Sequence, residues 1–127
     1  MNVSIKVIPH SEQRYETCGD WQWKGDTLEI TVSALGNWKY EMAVALHELI
    51  EVLLCKHSGI TQKSADAFDI AYEKDRLRGK YTADQEPGDD PDAPYSLQLS
   101  FATGIERMFI FAVGASWGSY NSAITSL

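Results

Sequence analysis

The chain has 127 residues, 44% hydrophobic and 23% charged, with a formal net charge of -7 and an isoelectric point near 4.8. That length suits one domain around one core, and an acidic balance with no Lys/Arg cluster excludes recognition of a nucleic-acid backbone. The longest late apolar run, Met108 to Val113, is far too short to span a bilayer. The first ten residues, M-N-V-S-I-K-V-I-P-H, lack the basic start and apolar run of a signal peptide. Cys18 and Cys55 form no C-x-x-C and read as free thiols of a reducing compartment. A cytoplasmic protein is expected.

Val3 to Ile8 alternates Val3, Ile5 and Val7 with Ser4, Lys6 and Ile8 and stops at Pro9, the pattern of a strand. Trp21 to Trp23 and Thr27 to Val32 are two further β-type runs, and Lys24-Gly25-Asp26 between them is a hairpin turn. Residues 1–35 are therefore expected to form a small antiparallel sheet. Gly36-Asn37 breaks it. A helix starts near Trp38 with Asn37 as its cap and ends at Ser58-Gly59. Thr61 caps a second helix, Gln62 to Arg78, which ends at Gly79. Its acids Asp66, Asp69 and Glu73 share a face, while Phe68, Ala71, Tyr72 and Leu77 supply an apolar stripe. Ala83 to Ala93, A-D-Q-E-P-G-D-D-P-D-A, is an acidic loop expected to be mobile or to act as a lid. Pro94-Tyr95 restarts order. A third helix is expected over Gln98 to Val113, with Phe101, Ile105, Met108 and Ala112 on one face, and Gly114 ends it. Ser119 to Leu127 follows as a short final helix. The expected fold is a single α+β domain, mainly β over 1–35 and mainly α over 38–127, its sheet packed on a three-helix core.

The most informative stretch is Ala43 to His57, A-V-A-L-H-E-L-I-E-V-L-L-C-K-H. At ~100° per residue, His47 and Glu51 lie one turn apart on one face, with Glu48 beside them. Eight apolar residues surround this polar island, so the helix is expected to be buried on most sides. A buried histidine with two carboxylates is costly without compensation, and a bound cation compensates all three. His47 and Glu51 are candidate ligands, and Glu48 is a candidate general base. The alternative is that the two glutamates face water or pair with Lys56 and arginines, leaving His47 as a satisfied core histidine. His57 lies ~15 Å from His47 along a continuous helix and suits the helix C-terminus better than the site. Asp89, Asp90 and Asp92 do not match an EF-hand spacing and read as solvated. His10, after Pro9, has no identifiable partner.

H-E-L-I-E over His47 to Glu51 resembles the H-E-x-x-H helix of zincin metallopeptidases, with Glu51 where that family carries its second histidine. The resemblance implies a minimal zincin-like fold and a zinc ion held by His47 and Glu51. It also implies water activation by Glu48 and, as in gluzincins, a third ligand from the following helix. Asp69, flanked by Phe68 and Ile70, is the first candidate for that ligand. Asp66 and Glu73 come after it. Tyr95 is a candidate oxyanion donor. Glu106, beside Arg107, is either an outer partner that orients His47 or part of an ordinary ion pair. The segments His47 to Glu51, Phe68-Asp69, Ala93 to Tyr95 and Ile105 to Arg107 also resemble those of small phage or prophage proteins of unknown function. Those proteins carry a histidine after the Pro-Tyr, where this chain has Leu97, Gln98, Leu99 and Ser100.

Glu48-x-x-Glu51 followed by Asp66-x-x-Asp69 resembles the carboxylate box of all-α nucleoside-triphosphate pyrophosphohydrolases, which would imply Mg²⁺ or Mn²⁺ against a phosphate chain. The β-rich first third does not suit that fold, and His47 would have no task in it. A third alternative is a non-enzymatic structural or regulatory protein, for which exposed residues among Trp21, Trp23, Trp38 and Trp117 would mark a protein partner. The favoured expectation is metal-assisted hydrolysis of a peptide or amide bond, with an unknown peptide or small molecule as substrate.

Overall fold

The computed structural model describes residues 1–82 and 85–127. Three strands precede four helices: β1 (Asn2–Ile8), β2 (Gly19–Lys24), β3 (Thr27–Ser33), α1 (Trp38–Ser58), α2 (Gln62–Leu77), α3 (Ser96–Ala112) and α4 (Trp117–Thr125). The fold is α+β.

β2 and β3 form the expected antiparallel hairpin, with Lys24 opposite Thr27. Its two-residue turn is possible because Gly25 takes φ +60°, which the first central position of a type II′ turn requires. The sheet as a whole is not antiparallel. β1 pairs parallel with β3, Val3 beside Leu28 and Val7 beside Val32, so the order is β1-β3-β2. The reason lies in the connection after β1, which crosses the end of β3. Ala34 N–H donates to Ile8 at 2.7 Å and Ser33 N–H to Cys18 at 2.8 Å. His10 and Gln13 both bond the Ser33 hydroxyl. That crossing delivers β2 to the far side of β3, leaving β1 running the same way as β3.

β3 is thereby the central strand. Its Leu28, Ile30 and Val32 are fully buried. α1 packs across β3 and β2 and against α3, covering the sheet with Ala43, Val44, Val52 and Cys55. The Asn37 side chain accepts from Lys39 N–H at 3.0 Å at its start. Gly59 closes its end at φ +74°. α2 begins at the expected Thr61 cap. α3 begins two residues earlier than expected, at Ser96.

The inward face of α3 differs from what apolar spacing suggested. Leu99, Ala102, Glu106 and Ile110 are buried, whereas Phe101 and Met108 point to solvent. Of the expected acidic loop 83–93, positions 83 and 84 lie outside the described residues. Pro87–Asp89 forms a short 3-10 turn with Gly88 buried against Leu99 and Tyr95. Cys18 and Cys55 are both free thiols. Among the described residues no single helix is long and apolar enough to cross a membrane.

Candidate functional site

α1 carries His47, Glu48 and Glu51 into a cavity of about 240 Å³ between β2, α2, α3 and the segment after Gln85. The imidazole of His47 is held on both sides. Nδ1 lies 2.8 Å from Glu106 Oε1 and Nε2 lies 3.3 Å from Glu51 Oε2, all three residues being buried. Each carboxylate is anchored in turn by its other oxygen. Trp21 Nε1–H donates to Glu51 Oε1 at 3.0 Å, and the Tyr120 hydroxyl donates to Glu106 Oε2. A ring between two carboxylates satisfies both as an imidazolium. Burial by itself lowers the His47 pKa, but the bonds to Glu106 and Glu51 and the charge of Glu48 more than offset it, leaving it well above its ordinary value.

Glu48 stands beside this triad without a hydrogen-bond partner among the described residues. Its carboxylate rests on the backbone of β2 at Gly19, where a Cβ would come within 2.6 Å of Oε1 and 2.7 Å of Val44 Cγ1. Only glycine leaves that space. Burial pushes the Glu48 carboxyl well above the usual carboxylate range, and the charge of Glu51 adds to this while His47 opposes it.

α2 contributes Asp69 and Glu73 to the cavity wall. Asp69 accepts a hydrogen bond from the Tyr15 hydroxyl at 3.0 Å and another from the Tyr95 hydroxyl. Burial first, and then the charges of Glu51 and Asp66, lift Asp69 to about 7 against those two bonds. Asp66 does not reach the cavity. Arg14 binds Asp20 through Nε at 2.7 Å and Asp66 through Nη1 at 3.1 Å, clamping α2 to β2. Tyr95 is buried in the cavity wall with its hydroxyl committed to Asp69, an orienting position rather than one facing a free oxyanion.

Five of the six expected site residues, His47, Glu48, Glu51, Asp69 and Tyr95, thus share one cavity, and Asp66 stands apart from it. Glu106 takes the outer-partner position behind His47. His57 lies in the exposed last turn of α1. His10 reaches the cavity rim with Nδ1 on Ser33 and Nε2 on Glu16, each at 2.8 Å. The sequence did not single out Tyr15, Gly19, Trp21 or Tyr120. Each acts across 14 to 54 positions of chain, and no local spacing encodes that.

Two ligands about 2.0–2.1 Å from a tetrahedral zinc lie roughly 3.3 Å apart, which is the separation of His47 Nε2 and Glu51 Oε2. The fit stops at two. Among the described residues no three His, Cys, Asp or Glu side chains are grouped to hold a metal ion, because Asp69 is turned to its two tyrosines. Eight acidic side chains line the cavity, with Arg76 as the one arginine or lysine among the lining residues. No family model, curated protein or solved structure matches the chain.

Proposed function

We propose that the protein is a metal-dependent hydrolase of peptide or amide bonds, with zinc held by His47 and Glu51 and with Asp69 as the third ligand. The observation that carries this is the His47–Glu51 pair. His47 Nε2 and Glu51 Oε2 face each other across 3.3 Å, and each residue is fixed from behind, by Glu106 and by Trp21. Outer partners of this kind set the ring orientation and tautomer of metal-binding histidines. As it stands Asp69 is turned to Tyr15 and Tyr95, so ligation would require its carboxylate to turn towards His47 and Glu51.

When bound, a zinc ion would polarise the scissile carbonyl and acidify a water molecule. In such a site Glu48 would be placed to accept a proton from water and return it to the leaving amine. No other side chain among the described residues competes for its carboxylate by hydrogen bonding. Gly19 keeps the carboxylate against β2, and Glu106 keeps His47 Nε2 aimed at the cavity. The excess of acids over cations in the lining repels a polyanionic triphosphate. Arg14 also withdraws Asp66 from the four-acid box that a pyrophosphohydrolase would need. A cytoplasmic location belongs to the same proposal, since the unpaired thiols of Cys18 and Cys55 suit a reducing compartment.

The test is elemental analysis of protein purified without added metal or a His-tag, beside His47→Ala and Glu48→Gln. The expected result is about one zinc per chain, lost in His47→Ala and kept in Glu48→Gln, with peptidase turnover absent from both. Absence of zinc from the wild type after zinc is offered, or turnover that survives Glu48→Gln, overturns the proposal.

A further inference from the structure

α3 is apolar on both sides. Its inner side packs Leu99, Ala102 and Ile110 into the core around Glu106. On the opposite side, Leu97, Phe101, Met108 and Phe111 are 79%, 59%, 68% and 85% exposed. Gly104 interrupts the row, and a Cβ there would meet nothing within 4 Å. These positions recur at steps of four and three residues, so they form one straight stripe ~21 Å long. A surface helix normally shows polar residues on that side.

We propose that this stripe is where two copies of the chain pair, the two α3 helices crossing antiparallel about a twofold axis at Gly104. A twofold contact must be self-complementary, so that residue i meets j and j meets i. The stripe has this property. Leu97 and Phe111 lie seven residues either side of Gly104, Phe101 three before it and Met108 four after it. Turned end for end, Leu97 of one copy meets Phe111 of the other and Phe101 meets Met108, while the glycines let the backbones approach.

Charge permits the pairing. The exposed flank of α3 carries one charged side chain, Arg107, whose guanidinium lies 4.5 Å from the Trp117 ring centroid. Pairing therefore buries no lone charge and opposes no like charges. The area is also adequate. Taking roughly 200 Å² for each large side chain, the four present roughly 600 Å² per copy, most of the roughly 800 Å² that a standard interface takes from each partner. It also reaches the upper limit of apolar patches on ordinary monomers. A bilayer is the competing apolar partner, since α3 and α4 together have the length and apolar composition of a bent span. The inner side of α3 opposes that, because Glu106 is bonded to His47 and Tyr120 and cannot enter hydrocarbon with its helix.

The test is sedimentation equilibrium of the full chain over a concentration series. The wild type is expected to approach twice the 14.2 kDa chain mass. Phe101→Glu with Met108→Glu should weaken association at least tenfold and leave the circular dichroism of the folded chain unchanged. Gly104→Cys places a thiol at the proposed axis, and mild oxidation should give a disulfide-linked dimer that wild type, with Cys55 buried and Cys18 in the cavity wall, does not form. A wild type that stays monomeric at all concentrations overturns the proposal. So does a dimer that the double glutamate variant leaves intact, and so does a monomer that floats with phosphatidylcholine vesicles, which would assign the stripe to lipid.

Discussion

Replacing Asp69 by Asn should make the metal-free protein more stable at alkaline pH and leave it unchanged at acid pH. The Asp69 carboxyl sits at about 7 in the folded chain, against an ordinary 3.8. The folded state therefore holds this proton more tightly than the unfolded state does. The corresponding stability is complete below about pH 4 and is lost as pH rises through about 7. Roughly three pKa units at about 1.36 kcal/mol each give about 4 kcal/mol of destabilisation from the ionised side chain above neutrality. Asn removes the charge and keeps the shape: its carbonyl accepts from one of Tyr15 and Tyr95, and its amide donates to the other. Urea unfolding followed by tryptophan fluorescence in EDTA, at pH 4, 6 and 8, measures the difference. A gain of about 2–4 kcal/mol at pH 8 that shrinks to nothing by pH 4 is expected. Equal stability at pH 8, or a gain independent of pH, would refute the link between this carboxylate's burial and the stability of the fold. On the proposal that Asp69 is the third zinc ligand, saturating zinc should reverse the order, because only the wild type would gain that ligand's binding free energy.

Glu106→Gln keeps an acceptor on His47 Nδ1 but removes a charge, so the His47 pKa should fall, as read from imidazole resonances by NMR. Since that pKa is raised in the folded state, its stabilisation is complete below about pH 6.5 and is lost as pH climbs through the folded value. The variant should therefore lose most stability relative to wild type near pH 5–6, and a deficit confined to alkaline pH would contradict this. In the proposed site zinc would displace a proton from His47 Nε2, so calorimetry in buffers of different ionisation enthalpy should show proton release, and affinity should drop as pH falls. Gly19→Ala should cost about 1–3 kcal/mol, because the new methyl would press on Glu48 and on Val44 Cγ1. Unchanged urea unfolding of that variant would show that the cavity wall gives way freely.

What was legible in the sequence was mostly local. Asn37 and Gly59 mark α1 because caps bond within a few residues of themselves. His47, Glu48 and Glu51 were legible as a group because one helix turn brings them together. The second layer was not. Trp21 looked like an ordinary strand aromatic, and nothing near it predicts that its Nε1–H lands on Glu51. Asp66 and Asp69 share a helix face, yet Arg14, fifty-two positions from Asp66, claims one of them and leaves the other to the cavity. β1 shows the same limit. Its alternation predicts a strand, but the parallel pairing is decided by how residues 9–18 cross the end of β3. On α3, Phe101 and Met108 look as core-like as Leu99 and Ile110, because hydrophobicity alone does not say which of two apolar sides faces in.

That ambiguity on α3 bears on the site. Glu106 is the link from this helix to His47, at 2.8 Å from Nδ1, and its other oxygen is tied to Tyr120 of α4. The orientation of the imidazole therefore depends on where α3 and α4 sit against α1. The inner side of α3 holds it there through Leu99, Ala102 and Ile110. A second copy seated on the outer stripe would clamp the same helix from behind. Phe101→Glu with Met108→Glu should then loosen α3 without touching a cavity residue. Hydrogen exchange of the α3 backbone would show this as faster opening, and the His47 imidazole signals would broaden or shift in parallel. Unchanged imidazole signals alongside faster α3 exchange would mean that α1 alone positions His47, and that Glu106 follows the ring rather than holding it.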